Sequence, residues 1–348
     1  MNRKWSNMLP NLFLQKIGMD LGTSNTVIFL KDIVLREASV VTVCRGKVVA
    51  VGDAAKQMLG KTPQTLTSAK PLKNGAIADL ELAEEMLLQF IAKARSKTKW
   101  LCKWRPFEVS IAIPSEITAV EKRAVSDCAR RAGAKEVFLI QEVIAGAIGA
   151  GRPVHDAIGT FIVNIGGGTT EIALIALSGI VLAKSVHIAG DAFDEAIIDY
   201  VKRRHNLLIG ESTAERVKIE VGSVKALEEE MSTEVRGRDL VTGFPKTVTI
   251  RSEEVREALM PTITALVQHI KLALEKCPPE LSADLVERGL TLAGGGALLR
   301  GLDSLISEVT SIPAVVSDDP VGVVASGIGQ SMHDRNLYEH TKKHSYNS

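Results

Sequence analysis

Two short segments combine flexible backbone with hydroxyl groups in a pattern suited to polyphosphate chemistry. The first, Ile17-Gly-Met-Asp-Leu-Gly-Thr-Ser-Asn-Thr26, is an apolar strand that passes Asp20 and enters a turn of Gly22, Thr23, Ser24, Asn25 and Thr26. The second, Phe161-Ile-Val-Asn-Ile-Gly-Gly-Gly-Thr-Thr170, repeats the pattern, with Asn164 in the place of Asp20 and Gly166 in the place of Gly22. Glycine carries no Cβ, so backbone N–H groups in such turns can converge on an anion. The hydroxyls of Thr23, Ser24, Thr169 and Thr170 can add donors. Facing each other, two such turns could clamp a polyphosphate from both sides. Asp20 could hold Mg²⁺ through water, because magnesium keeps much of its hydration shell. Each turn alone would read as a common tight turn, and Asp20 as an ordinary turn aspartate. The shared strand–turn–strand context in both halves of the chain argues against coincidence.

Neither segment is a Walker A motif or a dinucleotide fingerprint. The spacing GxxxxGK[ST] is absent, and no GxGxxG opens a helix after the first strand. A third glycine cluster, Gly294, Gly295 and Gly296, follows an apolar strand and precedes Ala297-Leu-Leu-Arg-Gly301. Its backbone would let a flat base lie close. By itself it reads equally well as a strand-to-helix turn.

The rest of the chain must position these turns. It has 348 residues, enough for about two domains. Hydrophobic residues make up 45% and charged residues 24%, an ordinary globular balance. Lys plus Arg is 42 against 41 for Asp plus Glu, and aromatics are 4%. That leaves no bulk electrostatic attraction to nucleic acid and no stacking platform for single strands. Cys44, Cys102, Cys128 and Cys277 stand far apart without a CxxC pair, which fits reduced thiols rather than a disulfide scaffold or zinc site. No apolar run is long enough to span a membrane, and a signal-peptide core is absent. The expected location is the cytoplasm.

Apolar spacing predicts helices over residues 79–96, 117–132, 192–205, 213–226 and 252–277, with Pro261 near the first turns of the last. Strands are predicted over 107–113, 137–141, 160–165, 171–177, 248–250 and 290–293. Alternating strands and helices indicate an α/β protein with mixed sheets.

These segments resemble the nucleotide-binding segments of the actin/sugar-kinase/heat-shock chaperone superfamily, and within it the MreB/Mbl group of bacterial actins. Further support comes from Val51-Gly-Asp53, Pro71-Leu-Lys-Asn-Gly-Ala-Ile-Ala-Asp79, Ala145-Gly-Ala-Ile-Gly-Ala-Gly151, Ala189-Gly-Asp191, Ile209-Gly-Glu-Ser-Thr-Ala-Glu-Arg-Val-Lys218, Arg236-Gly-Arg-Asp239 and Pro278-Pro-Glu-Leu-Ser-Ala-Asp284, an ordered set over about residues 16–333. The resemblance implies an actin-like ATPase fold. Two lobes, each a ribonuclease-H-like mixed sheet plus a smaller subdomain, would flank an ATP–Mg²⁺ cleft. Lobe I is expected over 16–158, with an insert at about 33–75. Lobe II is expected over 159–337, with an insert at about 195–255, followed by a polar tail at 338–348. Residues 22–26 and Gly166, Gly167, Gly168 and Thr169 would meet phosphates. Glu215 and Lys218 would reach ribose and base, Asp191 the ribose, and residues 294–296 the adenine. The segments 145–151 and 323–329 would be interlobe hinges.

The chain departs from the group at two places. Asn164 stands where the second loop usually has aspartate, and Glu142-Val143 where a Glu-Pro pair is usual. Glu142 would orient the attacking water, with Glu171 assisting. An amide carries no charge to hold a hydrated metal, so the expectation is nucleotide binding with slowed hydrolysis.

Trp5, Met8, Leu9, Leu12 and Phe13 fall on one helical face beside Arg3 and Lys4, although Pro10 would kink it. Trp100, Leu101 and Trp104 lie among Lys97, Lys99, Lys103 and Arg105, a composition that suits a membrane interface. The resemblance implies that both segments bind the inner face of the cell membrane, and that the chain forms paired filaments with weak ATPase activity. It also implies RodZ, MreC and MreD as partners in cell-wall elongation and rod shape. A small-molecule kinase on the same fold remains the rival reading.

Overall fold

The computed structural model describes residues 14–61, 63, 65–97 and 105–333. They fall into two compact units, one drawn from residues up to Arg152 and from Gly322 onward, the other spanning Pro153–Val321. In the first unit, β1 (Gln15–Leu21), β2 (Asn25–Phe29) and β3 (Ile33–Ala38) form an antiparallel meander. A small sheet follows, built from β4 (Val41–Cys44), β5 (Lys47–Val51) and, after α1 (Asp53–Met58), β6 (Leu66–Ala69). The two-residue strands β7 (Leu72–Lys73) and β8 (Ala76–Ile77) pair with each other. Next come α2 (Leu80–Ser96), β9 (Phe107–Ile113), α3 (Ala119–Arg131), β10 (Glu136–Gln141) and α4 (Glu142–Gly149). The main sheet runs β10-β9-β1-β2-β3, with β9 and β10 parallel to β1. All seven residues of β9 are buried, as expected of a strand covered on both faces.

Local chemistry sets the helices of this unit. The Asp79 side chain caps α2 by accepting from Leu82 N at 3.0 Å. The stripe Ala83, Met86, Leu87, Phe90, Ile91 and Ala94 repeats at helical spacing and is buried in the same core as Ile17 and Met19 of β1. α3 starts with a reciprocal capping box between Thr118 and Glu121.

The second unit repeats the plan. β11 (Thr160–Ile165), β12 (Thr170–Ala176) and β13 (Gly179–Val186) are again an antiparallel meander, followed by α5 (Gly190–His205). β14 (Leu207–Leu208), α6 (Glu211–Val221), β15 (Ser232–Asp239) and β16 (Pro245–Arg251) supply a small three-stranded sheet and its helix. Then follow α7 (Ser252–Leu274), α8 (Pro279–Arg288), β17 (Leu290–Ala293), a 3₁₀ turn at Gly295–Leu298, α9 (Leu302–Thr310) and β18 (Ala314–Val316). The main sheet runs β13-β12-β11-β17-β18, with β17 parallel to β11 and β18 parallel to β17. The two main sheets therefore share one topology, a meander of three strands extended by two parallel strands beyond the first.

Two sequence expectations need correction. The helix predicted over 213–226 ends at Val221, because the chain leaves it at Gly222. A Cβ on Gly222 would stand 2.2 Å from Lys218 O, and Ser223 then bridges in parallel to Arg300. α7 begins at Ser252 as expected and continues past Pro261, but it ends at Leu274 rather than at residue 277.

The chain returns to the first unit as α10 (Val323–His333). The sequence division placed these residues in the second lobe, whose expected end was 337. Instead α10 packs on α4 and β1. Glycine permits the backbone contact: a Cβ on Gly327 would stand 1.8 Å from Ala145 O, and one on Gly149 1.9 Å from Val323 O. Gly18 of β1 likewise leaves room for Ile328 and Met332, and Lys16 Nζ donates to Met332 O at 2.8 Å near the end of the helix. Gly327→Ala should lower stability by about 2 kcal/mol or more through this overlap. Gly179→Ala, with its nearest neighbour 3.7 Å away, should change it by less than about 0.5 kcal/mol. Urea unfolding of the two variants beside the parent checks the contrast.

Candidate functional site

The two repeated segments occupy equivalent hairpins. Leu21 pairs with Thr26 across the β1–β2 turn, and Ile165 pairs with Thr170 across the β11–β12 turn, so the turns have equal length. Their tightness explains the first glycine of each. A Cβ on Gly22 would stand 2.6 Å from Asn25 O, and one on Gly166 3.0 Å from Thr169 O. Gly166 N also donates to Thr169 O at 2.9 Å.

Each turn is held from behind by its carbonyls. In the second unit the first two N–H groups of α5 do this. Gly190 N donates to Gly166 O at 3.1 Å, and Asp191 N donates to Gly167 O at 2.7 Å. In a trans peptide the N–H points opposite to the C=O, and the chain contains no cis bond among the described residues. The N–H groups of Gly167 and Gly168 therefore point away from α5. In the first unit Ser39 plays the corresponding part. Its hydroxyl donates to Gly22 O at 2.7 Å, and its N–H donates to Ser24 O at 2.9 Å. The N–H groups of Thr23 and Asn25 are turned the other way by the same geometry. Two rows of oriented donors result, one per unit, a ready arrangement for anionic oxygens. The second row also sits at the positive end of a 16-residue helix.

The hydroxyls divide differently from the sequence expectation. Ser39 has one hydroxyl proton and gives it to Gly22, so Thr26 Oγ1, 2.9 Å from Ser39 Oγ, must be the donor to it. Thr26 is fully buried, and its hydroxyl braces the turn from inside rather than meeting a phosphate. Thr170 similarly donates to Ile188 O at 2.6 Å. Thr23 Oγ1 accepts from Gly75 N at 3.0 Å, which aims its own proton elsewhere. Ser24 is half-buried, Asn25 is exposed and Thr169 is buried.

Asp20 is half-buried near the end of β1, and Glu142 opens α4 at the end of β10. Strands β1, β9 and β10 are parallel, so both carboxylates lie toward the same end of one sheet. Loss of hydration raises the Asp20 carboxyl to a pKa of about 7. Among the described residues no three His, Cys, Asp or Glu side chains converge as a direct metal cage. In the second unit Asn164 and Glu171 are cross-strand partners, so their side chains share one face of the sheet, and both are buried. Gly294, at φ 81°, places its backbone against this position: a Cβ there would stand 2.2 Å from Ile165 O and 2.7 Å from Asn164 Oδ1. Gly296 packs on Ile165 in the same way, and Gly295 is exposed.

Glu215 and Lys218 lie one turn apart on α6, on one face. Lys218 is not a loose cation: its ammonium donates to Gly190 O at 3.0 Å and pairs with Asp194 at 2.8 Å. Asp191 is half-buried in the first turn of α5. Arg300 Nη1 fastens α6 to the segment after the 3₁₀ turn, donating to Ile219 O at 3.2 Å and Gly222 O at 3.1 Å. Sequence reasoning missed Ser39, Gly190 and Asp194, which act through hydrogen bonds across long stretches of chain. The membrane candidates Trp5, Met8, Leu9, Leu12, Phe13, Trp100, Leu101 and Trp104 lie outside the described residues.

The model of the family described as MreB/Mbl protein matches residues 14–340. The chain belongs to the MreB/Mbl family. It is 48% identical to the cell shape-determining protein MreB of Escherichia coli (strain K12) over 330 residues, covering 92% of this chain and 94% of the relative. It is 46% identical to the cell shape-determining protein Mbl of Bacillus subtilis (strain 168), covering 91% and 96%. Its structure matches that of MreB 5 of Spiroplasma citri bound to AMPPNP with a TM-score of 0.87 at 33% identity, covering 94% of this chain and 98% of the other. The MamK double helical filament matches with a TM-score of 0.78 at 24% identity, covering 92% and 98%, a likeness of fold. The fold of this MreB/Mbl-family chain is thus actin-like.

An exposed aspartate releases its proton near pH 4, whereas the folded chain keeps that of Asp20 to about pH 7. The group's contribution to stability therefore falls as pH rises from about 4 to 7, and the cost is complete above 7. Asp20→Asn should raise the nucleotide-free melting temperature at pH 8 by several degrees and leave it nearly unchanged at pH 4. A shift of equal size at both pH values would rule out the ionised carboxylate as the cause.

Proposed function

We propose that this chain is a cytoskeletal protein that binds ATP through its glycine turns, hydrolyses it slowly and assembles into filaments that serve cell-shape determination. The observation that carries the reading is the pair of equivalent hairpins whose carbonyls are held from behind, so that successive N–H groups face away from their supports. Family membership supports it, as does the description of MreB 5 of Spiroplasma citri in complexes with AMPPNP and with ADP.

On this reading Gly167, Gly168, Thr23 and Asn25 offer backbone donors to phosphate oxygens, and the first turn of α5 adds its dipole. Mg²⁺, where bound, would neutralise phosphate charge. Asp20 suits its water shell, because a carboxylate held largely out of water is one that a nearby cation would favour. Glu142 orients the attacking water. Asn164 accepts a hydrogen bond but brings no charge, so it holds a hydrated cation more weakly than aspartate would. On the same reading Glu215 and Asp191 meet the ribose, and residues 294–296 the base. Peripheral binding to the inner face of the cell membrane rests on the composition of residues 1–15 and 100–104. Among the described residues no helix is long and apolar enough to cross a membrane. RodZ, MreC and MreD are the partners this reading implies.

Phosphate release with Mg-ATP, followed over a range of protein concentrations, should begin above a threshold and scale with sedimentable polymer. Polymer that forms equally well without nucleotide would defeat the reading. Asn164→Asp should accelerate single-turnover release on the order of 10²-fold, and an unchanged rate would remove Asn164 from the mechanism. Co-sedimentation with anionic vesicles should drop sharply when residues 2–13 are deleted; full pelleting of that variant would exclude the segment as an anchor.

A further inference from the structure

One nearly buried cation joins α6 to the glycine turn of the second unit. Lys218 Nζ lies 2.8 Å from Asp194 Oδ1, and the two side chains are 16% and 11% exposed. The same ammonium donates to Gly190 O at 3.0 Å. Gly190 is the residue whose N–H holds the Gly166 carbonyl, and its neighbour Asp191 holds that of Gly167. The links run in series: Asp194 to Lys218, Lys218 to Gly190, and Gly190 to the turn that orients the Gly167 and Gly168 donors.

Stability does not account for such a pair. Removing two charges from water costs about as much as their attraction returns, and an apolar pair of similar volume often does better. What the pair supplies is a single geometry. Lys218 has three donors on a flexible stem, and without a fixed acceptor its ammonium would sample many positions. Asp194 removes that freedom. Burial raises its carboxyl to a pKa of about 6, Lys218 opposes the rise, and Glu215 and Asp191 add to it. The carboxylate is therefore ionised at neutral pH.

We propose that Asp194 is a positioning residue for nucleotide binding, acting through Lys218 to lock α6 and the glycine turn in the arrangement that meets the phosphates. The proposal rests on the nucleotide reading above. It gives Lys218 a bracing duty in addition to any direct contact with ribose or base, and it gives Asp194 a part in affinity although its carboxylate is turned to the lysine.

The test is equilibrium titration of the full chain, below its assembly threshold, with an anthraniloyl-labelled ATP and Mg²⁺. The variants are Asp194→Asn, Lys218→Gln and the double substitution, with nucleotide-free melting temperatures measured beside them. Asp194→Asn should bind about tenfold more weakly, equivalent to about 1.4 kcal/mol. The double variant should bind no more weakly than Lys218→Gln alone, because Asp194 acts through that lysine. A purely structural role would lower the melting temperature and leave affinity unchanged, and that result overturns the proposal. Losses that multiply in the double variant overturn it as well. If Asp194→Asn does not fold, Asp194→Glu keeps the charge on a longer stem. Weakened affinity at an unchanged melting temperature then supports the proposal, and unchanged affinity overturns it. A parent chain with no saturable signal overturns the nucleotide reading and the latch together, whereas parent binding with an equally tight Asp194→Asn overturns the latch alone.

Discussion

The geometry of the trans peptide governs this molecule. When a carbonyl is pinned from one side, the next N–H must face the other. Both glycine turns exploit that constraint: their carbonyls are fastened to neighbouring backbone or hydroxyl donors, and the donors on the opposite edge become a fixed array. Fixed dipoles matter because they need no reorganisation when charge arrives. The glycines at 22 and 166 follow from the same demand, since a side chain on either would collide with the carbonyl that closes the turn.

The two units reach this result by different means. Ser39, on the segment leaving β3, contributes a hydroxyl and an amide to the first turn. The opening amides of α5 support the second. The electrostatics then diverge. The first turn follows a strand that carries Asp20, whose buried carboxyl favours a nearby cation. The second lies at a helix N-terminus, with the neutral Asn164 in the place of a carboxylate, and favours negative charge. A duplicated scaffold thus carries two turns of unlike electrostatics, with Asp20 and Asn164 at the equivalent position.

Close backbone contact is the other recurring device. Gly149 and Gly327 let α4 and α10 approach until a single added carbon would overlap a carbonyl. That contact places the last described helix in the first unit. The sequence division assigned it to the second lobe. The segments 145–151 and 323–329 are expected as interlobe hinges, and the structure packs the helices that carry them, α4 and α10, on each other within the first unit.

Local sequence pattern specifies the repeated hairpins, the α/β character and the positions of the turn glycines. Each of these depends on neighbours within a few residues, through apolar alternation, hydrogen bonds across a tight turn and the missing Cβ. The resemblance to the MreB/Mbl group marked Asn164 as a departure, because the second loop of that group usually carries aspartate. Tertiary structure alone decided that Ser39 supports Gly22, that α5 supports Gly166, that the Thr26 and Thr170 hydroxyls turn inward, and that Asp194 holds Lys218. Those contacts join residues 13 to 24 positions apart, and a serine or aspartate in isolation looks like any other. Which donor meets which carbonyl is settled when the sheet and helices pack, because a buried polar group must find its partner wherever the fold brings one.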